Sequence, residues 1–525
     1  MNRTSLIAII LCALSILVFD HTNKFYKDDY RIIESDAKHY YSYIPAMLVY
    51  HDISLKFLDT NIGPNKNYFF TDSKFDDGRH YIVTTMGVAV LQSVFIVPLH
   101  YTLKLSGEPA DGFSAPYKIA IMLSSLFYFI LGLFLIRHLL IKRLKYNDYV
   151  TALTIMAIGI GTNIVVYLMR EPGMSHVYSF FSIVLFAYVL DKFLHNPGML
   201  KALLTGVCFG MVVLIRPINV LIGMLFILWD ISSLKDLKER FLFYIKNPIN
   251  VLLVVAGAII IWIPQLMYYY YLTGSIFFSG YSDTNFYFNN PQIIHNLFSY
   301  RKGWFLYTPI MAFAVIGLIP LYKKHRNFFW PVISILAILV YVNSSWYSWW
   351  FGGGFGQRAY IEIYGLLAIP LAALINAAWS KKILMKIVTV LLVFVFIFHN
   401  IFEVKQYLKG AIHYAGMTRE AYWYSFGRLV PGLRFYELIE MPDYEMALIG
   451  IYPKPTSKQK TTEEWIAFVE SGYRKNPEMM KLFEEKAKSS NTAIDTLLRN
   501  DAKWALKQDK PLLGERILTS DFKKE

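Results

Sequence analysis

The chain has 525 residues, 55% of them hydrophobic and only 17% charged, with a mean hydropathy of +0.37. A soluble domain carries about 25% charged residues, so an ordinary soluble fold is excluded. The net charge of +14 does not indicate nucleic-acid binding, because lysines and arginines between membrane spans report topology. Cys12 and Cys208 both lie inside apolar runs and point to neither a disulfide framework nor a metal site.

In chain order, apolar runs occur at 4–20, 82–104, 116–137, 149–168, 175–194, 201–215, 218–231, 249–271, 305–322, 328–343, 359–379 and 383–401. About 20 such residues cross a bilayer. The first run has a weakly basic start at Arg3 and no small-residue cleavage site before Asp20, so it reads as a retained helix rather than a signal peptide.

Four basic clusters flank these runs: Arg137/Lys142/Arg143/Lys145, Lys235/Lys238/Arg240/Lys246, Lys323/Lys324/Arg326 and Lys381/Lys382/Lys386. If every run crosses from a cytoplasmic N-terminus, all four clusters fall outside, against the positive-inside bias. If 81–103, which is interrupted by Thr84, Thr85, Gln92, Ser93, Pro98 and His100, lies in the outer interface, all four face the cytoplasm. Pro217 must also divide 201–231 into two helices. The expectation is an all-α polytopic membrane protein with about eleven transmembrane helices. An interfacial helix in the first external loop and a small C-terminal helical domain complete it.

This topology places 20–81, 170–175, 273–304, 344–358 and everything after 401 on the outer face. The unusual polar residues fall in those segments. In the first, Asp36, Tyr40, Tyr43 and Met47 share a helical face. Asp36 is either a helix cap or a catalytic acid at the membrane surface. In the second, Arg170, Glu171 and His176 lie at the mouth of two helices, as a functional cluster or as an Arg170–Glu171 ion pair with a headgroup. Arg216, Arg301, Lys302 and Arg358 are cations on separate outer segments, suited to an anionic headgroup or to snorkelling. The stretch "SSWYSWWFGGGFGQRAY" (344–360) adds Trp350 and a glycine run that includes Gly353. Glycines let a backbone approach a ligand closely. The aromatics either stack on a sugar or sit in the interfacial belt.

Asp36 with Glu171 is a candidate oxygen-ligand pair for Mg²⁺ or Mn²⁺, and no other cofactor is expected. Past 401 the chain turns charged and helix-periodic. Thr461 and Glu464 form a capping box, and Trp465, Phe468 and Val469 share an apolar face, so a bundle of about three short helices is expected. That tail is either an acceptor-recognition element or a lid.

Five of these stretches, in order, resemble the GT-C superfamily of lipid-phosphate-sugar glycosyltransferases. It includes the protein O-mannosyltransferases, the lipid A aminoarabinose transferases and the oligosaccharyltransferase catalytic subunit. "SDAKHYYSYIPA" is similar to the acidic motif of the first external loop. "YIVTTMGVAVLQSVF" is similar to an interfacial segment that often reads K-Y-P-P-G, without its prolines. "YLMREPGMSHVYSFF" resembles the Glu-x-x-x-x-His element of bacterial members, "LIRPIN" their Arg-Pro element, and "WYSWWFGGGFGQR" their Trp- and Gly-rich loop ending in Arg.

The resemblance, which points to a bacterial family 39 member, covers about residues 1–401 and leaves 402–525 as an extracytoplasmic helical region. It implies a polyprenyl-phosphate-sugar donor, a protein, lipid or glycan acceptor, and a site on the outer face of the bacterial cytoplasmic membrane. By it Asp36, Glu171 and His176 are catalytic, while Tyr40, Arg216, Arg301, Trp350, Gly353 and Arg358 bind substrate. The competing readings are a flippase of lipid-linked sugars, which predicts internal repeats, and a polysaccharide polymerase or ligase.

Overall fold

A computed structural model describes residues 3–29, 31–281, 284–453 and 461–509. The described residues are helical, with two isolated β-bridges. Helix α1 (Thr4–Asn23) is followed by α2 (Ala37–Leu48), an irregular segment, and α3 (Gly87–Ser106). Next come α4 (Ala115–His138, extended by a π turn to Arg143), α5 (Asp148–Gly159), α6 (Ile164–Met169), α7 (Ser175–His195) and α8 (Met199–Ile215). A 3₁₀ stretch (Pro217–Gly223) leads into α9 (Met224–Leu228), α10 (Leu234–Lys246) and α11 (Pro248–Thr273). The short helices α12 (Ile293–Phe298), α13 (Trp304–Tyr307), α14 (Ile310–Ile316) and α15 (Leu318–Lys324) precede α16 (Arg326–Ser345). A 3₁₀ turn (Arg358–Ile363) opens α17 (Tyr364–Trp379), and α18 (Ile383–Leu408) follows. Then come α19 (Arg419–Ser425), α20 (Phe435–Leu438), α21 (Tyr444–Leu448), α22 (Thr462–Lys475), α23 (Pro477–Ser490) and α24 (Ile494–Gln508).

Eight described segments are long and apolar enough to cross a membrane: Thr4–Asn23, Gly87–Ser106, Ala115–Arg143, Ser175–His195, Pro248–Thr273, Arg326–Ser345, Arg358–Trp379 and Ile383–Leu408. Several other expected runs are broken. The run 149–168 is α5 and α6 around an irregular turn, and 305–322 is three pieces. The first break is stabilised because Asn400 Nδ2 donates to the carbonyls of Ile160 and Thr162. Backbone groups freed inside a membrane need such an internal partner. Pro217 divides the 201–231 run as the proline dictates.

The bundle has two chemically different ends. At one, Arg137 meets Ser5 and Asp148, and Arg143 bridges Asp191 and Asp230, each at 2.9 Å. Tyr146 stands edge-on to His325, and Tyr149 stacks on Trp379. All four basic clusters lie on segments at this end. The opposite end carries α2, the turn between α6 and α7, Arg216 and the 346–358 loop. Helix α3 meets the length criterion for a span, and its side-chain hydrogen bonds reach α4 between Tyr117 and Tyr128 and α7 at Tyr178. His100 meets Tyr117, Gln92 and Ser124 share the Tyr178 hydroxyl, and the Tyr128 hydroxyl donates to Leu91 O.

Helix α11 exposes much of its surface and is held chiefly by α8. Small residues allow that approach: a Cβ on Gly206 falls 2.0 Å from Val254 O, and one on Gly257 falls 2.3 Å from Leu203 O.

Helix α18 runs on to Leu408, and 409–453 packs onto the glycine loop: Gly354 N donates to Tyr414 O (3.2 Å) and Arg301 donates to Ala415 O (3.2 Å). Helices α22 to α24 form the small bundle, with the Thr461–Glu464 capping box in place. They are tied back through Asp509, which pairs with Arg428 at 2.7 Å and Arg434 at 3.7 Å. Residues 454–460 and 510–525 of the expected tail lie outside the described residues.

Candidate active site

Asp36 stands at the N-terminus of α2, but its side chain makes no capping hydrogen bond. It accepts one from Arg358 Nη2 at 2.8 Å, across 322 residues of sequence. The Arg358 side chain is mostly buried, whereas 49% of the Asp36 side-chain surface is accessible. Burial pushes the Asp36 carboxyl up. The charge and hydrogen bond of Arg358, together with His39, more than offset this and hold it below the ordinary carboxylate range. His39 is itself pushed down to about 4 by burial, against the pull of Asp36. It is neutral near pH 7, and its Nδ1 accepts from Val83 N.

Glu171 also feels the charge of Arg358. Its carboxyl is raised by burial, against the pull of Arg358 and Arg170, and Tyr407 donates to it at 3.3 Å. The two carboxyls that share Arg358 are thus driven in opposite directions, a pattern by which enzymes separate acid from base. Arg170, which one of the two sequence readings pairs with Glu171, turns toward Glu34. Its Nε is 3.7 Å from Glu34, and its guanidinium lies 5.0 Å from the Tyr407 ring centre.

A second ionic cluster lies alongside. Arg216 is ion-paired to Glu362, and His176 Nδ1 is 3.4 Å from the same Glu362 oxygen. His176 is buried with both ring nitrogens lacking a hydrogen-bond partner, and its ring stands edge-on to Tyr167 at 5.0 Å. Tyr40, one turn along α2 from Asp36, neighbours Arg216 and Ser175. Glu362 and Tyr167 are absent from the sequence-derived set. Glu362 carried a readable signal, since an acid at the head of an apolar helix is expensive to keep. Tyr167 carried none, being one tyrosine among 38.

The glycine loop makes the roof. Tyr167 hydroxyl bonds both the Phe355 carbonyl and its amide, each at 3.2 Å. Lys302 is buried and donates to Gly354 O. Burial and the charge of Arg358 bring its ammonium down to about 7, with Glu171 opposing. Gly354 has φ +138° and Gly356 φ +59°, conformations open to glycine. Gly353 has ordinary φ and faces Tyr414. Arg301 and Trp350 pack against each other. The guanidinium lies 5.8 Å from the Trp350 ring centre, and that ring is buried against Trp349 and Tyr444, with no free face for a sugar.

Arg358 occupies one Asp36 oxygen, and among the described residues no group of three His, Cys, Asp or Glu side chains is placed to hold a metal. The guanidinium supplies the positive charge there.

No family model matches the chain, and no curated protein sequence does. Solved structures similar to this chain include three of an archaeal oligosaccharyltransferase. The Archaeoglobus fulgidus oligosaccharyltransferase in the apo form aligns with 88% of this chain and 61% of its own, at 12% identity and a TM-score of 0.48. The archaeal oligosaccharyltransferase AglB from Archaeoglobus fulgidus, in complex with an inhibitory peptide and a dolichol-phosphate, aligns over 87% and 61%, at 12% identity and 0.47. The A. fulgidus enzyme in complex with Zn and sulfate aligns over 87% and 58%, at 13% identity and 0.45. This chain therefore spans about three-fifths of the length of the structures it matches. All three are structures of an archaeal oligosaccharyltransferase.

Proposed function

We propose that the chain is a glycosyltransferase that moves a sugar from a polyprenyl-phosphate carrier to an acceptor hydroxyl at the outer face of the cytoplasmic membrane. The observation that carries this reading is the Asp36–Arg358 pair, an accessible carboxylate kept ionised by a buried guanidinium. The acceptor oxygen attacks the anomeric carbon as the bond to the phosphate oxygen breaks, and that electron pair leaves with the polyprenyl phosphate. The acceptor proton passes to the Asp36 oxygen not engaged by Arg358.

A base held below its ordinary range suits this reaction, because the hydroxyl proton becomes acidic only as the new bond forms. Arg358 and Lys302 face the side where negative charge grows on the leaving phosphate, and they are already in position before reaction. Arg216, Glu362, His176 and Tyr40 form the adjoining wall. Glu171, whose carboxyl burial raises against the pull of Arg358 and Arg170, lines the site beside them.

The test is transfer from a panel of labelled polyprenyl-phosphate-sugars in membranes containing wild type or Asp36→Asn. Turnover by wild type that is lost in a well-expressed variant supports the reading. Undiminished turnover in the variant removes Asp36 from the mechanism. If neither protein turns over any donor while labelled lipid still crosses the bilayer, the function is transport.

A further inference from the structure

We infer that α10 (Leu234–Lys246), at the end of the bundle away from the site, is an in-plane membrane anchor that binds anionic lipid headgroups. The bundle's own packing does not account for this helix. It buries none of its residues, yet it is firmly begun: Ser233 and Asp236 form a capping box, which fixes its first turn.

At 3.6 residues per turn its side chains divide into three sectors. One faces the protein. Arg240 donates to the carbonyls of Phe226 and Trp229 at 3.1 and 2.8 Å, Tyr244 hydroxyl donates to Phe226 O at 2.7 Å, and the Phe243 ring lies 5.8 Å from Phe193. The second carries Leu234, Phe241, Leu242 and Ile245, all exposed, Leu234 at 85% and Ile245 at 73%. The third is polar, with Lys235, Glu239 and Lys246.

The apolar sector adjoins the protein-facing one, so a helix lying along the bundle's flank turns that stripe sideways into the bilayer. It is continuous in sequence with the exposed Ile249, Leu252 and Ile259 of α11, a helix long and apolar enough to span. The chain thus passes from a lipid-facing stripe parallel to the surface into a lipid-facing span.

Charge identifies the lipid. Glu239 lies 3.9 Å from Lys235. Lys238, within the apolar stripe, and Lys246, at its margin, have no acidic partner among the described residues. A long lysine stem buries its methylenes and lifts its ammonium to the headgroup level, and an amphipathic helix with lysines at its edge binds best where those headgroups are anionic.

The experiment uses the full chain in nanodiscs, with a nitroxide at position 245 or, separately, at 239. Both sites are exposed, so labelling disturbs no packing. The label at 245 is expected to collide with dissolved oxygen and to be shielded from an aqueous nickel complex, with the reverse at 239. Adding phosphatidylglycerol to phosphatidylcholine discs is expected to deepen the 245 label, and the pair Lys238→Glu and Lys246→Glu to abolish that deepening. Equal nickel access at both positions overturns the anchor. Shielding of 245 from both reagents also overturns it, since a protein surface then covers the stripe. A depth indifferent to phosphatidylglycerol overturns the headgroup preference.

Discussion

Arg358 reaches back across 322 residues to hold Asp36 at 2.8 Å, and this one contact joins the glycine loop to the first helix after α1. Replacing Arg358 with Gln removes the largest influence that opposes burial at the Asp36 carboxyl. We expect transfer to fall by about 10²-fold or more, the scale for losing one preorganised charge-stabilising donor. The Asp36 carboxyl is active when ionised, so removing the group that lowers its pKa moves the acid limb of kcat/KM to higher pH. Arg358→Lys keeps the charge, and we expect it to retain most of the limb's position while losing rate. A pH profile of each variant checks both statements.

Lys302 sets the other limb. Its ammonium, brought down to about 7 by burial, is charged below that pH and neutral above it. If the cation stabilises the departing phosphate, kcat/KM falls as pH rises through about 7. Lys302→Arg, charged throughout, is expected to flatten that decline. A decline unchanged in the arginine variant assigns it to another group.

Neighbouring glycines in the roof differ in what they tolerate. A Cβ on Gly354 stands 2.7 Å from the Tyr167 hydroxyl with φ at +138°. We expect Gly354→Ala to break the Tyr167–Phe355 bonds and abolish most transfer. Gly353 has an ordinary φ, and its Cβ meets only the edge of the half-exposed Tyr414 ring at 3.2 Å. Gly353→Ala is expected to cost only a few-fold. Rates measured side by side at matched expression decide this.

The C-terminal helices hang on Asp509, whose buried carboxylate serves Arg428, Arg434 and the Tyr424 hydroxyl. Asp509→Ala leaves two arginines without that partner, a loss of about 3–5 kcal/mol for a buried pair. We expect limited proteolysis to release α22 to α24 from the variant while the membrane-embedded part stays intact. Resistance equal to wild type means that other contacts hold the bundle.

What the sequence determined by itself was the arrangement along one axis. Apolar length and the four basic clusters separate the two ends of the bundle, because charge and hydrophobicity act locally along each helix. The candidate site segments were legible for the same reason: Asp36, Glu171, His176, Arg216 and Arg358 all occur on segments at one end. Pairing was decided only in three dimensions. Asp36 was open between cap and site, and it meets Arg358 because α2 and the glycine loop converge. Arg170 adjoins Glu171 in sequence but pairs with Glu34. Arg216 finds Glu362, a residue that pattern reading passed over. Trp350, expected to face a sugar, is enclosed when 409–453 folds back over the loop. Ion pairs and ring stacking depend on distances between segments hundreds of residues apart, and the periodicity of a single segment carries no record of those distances.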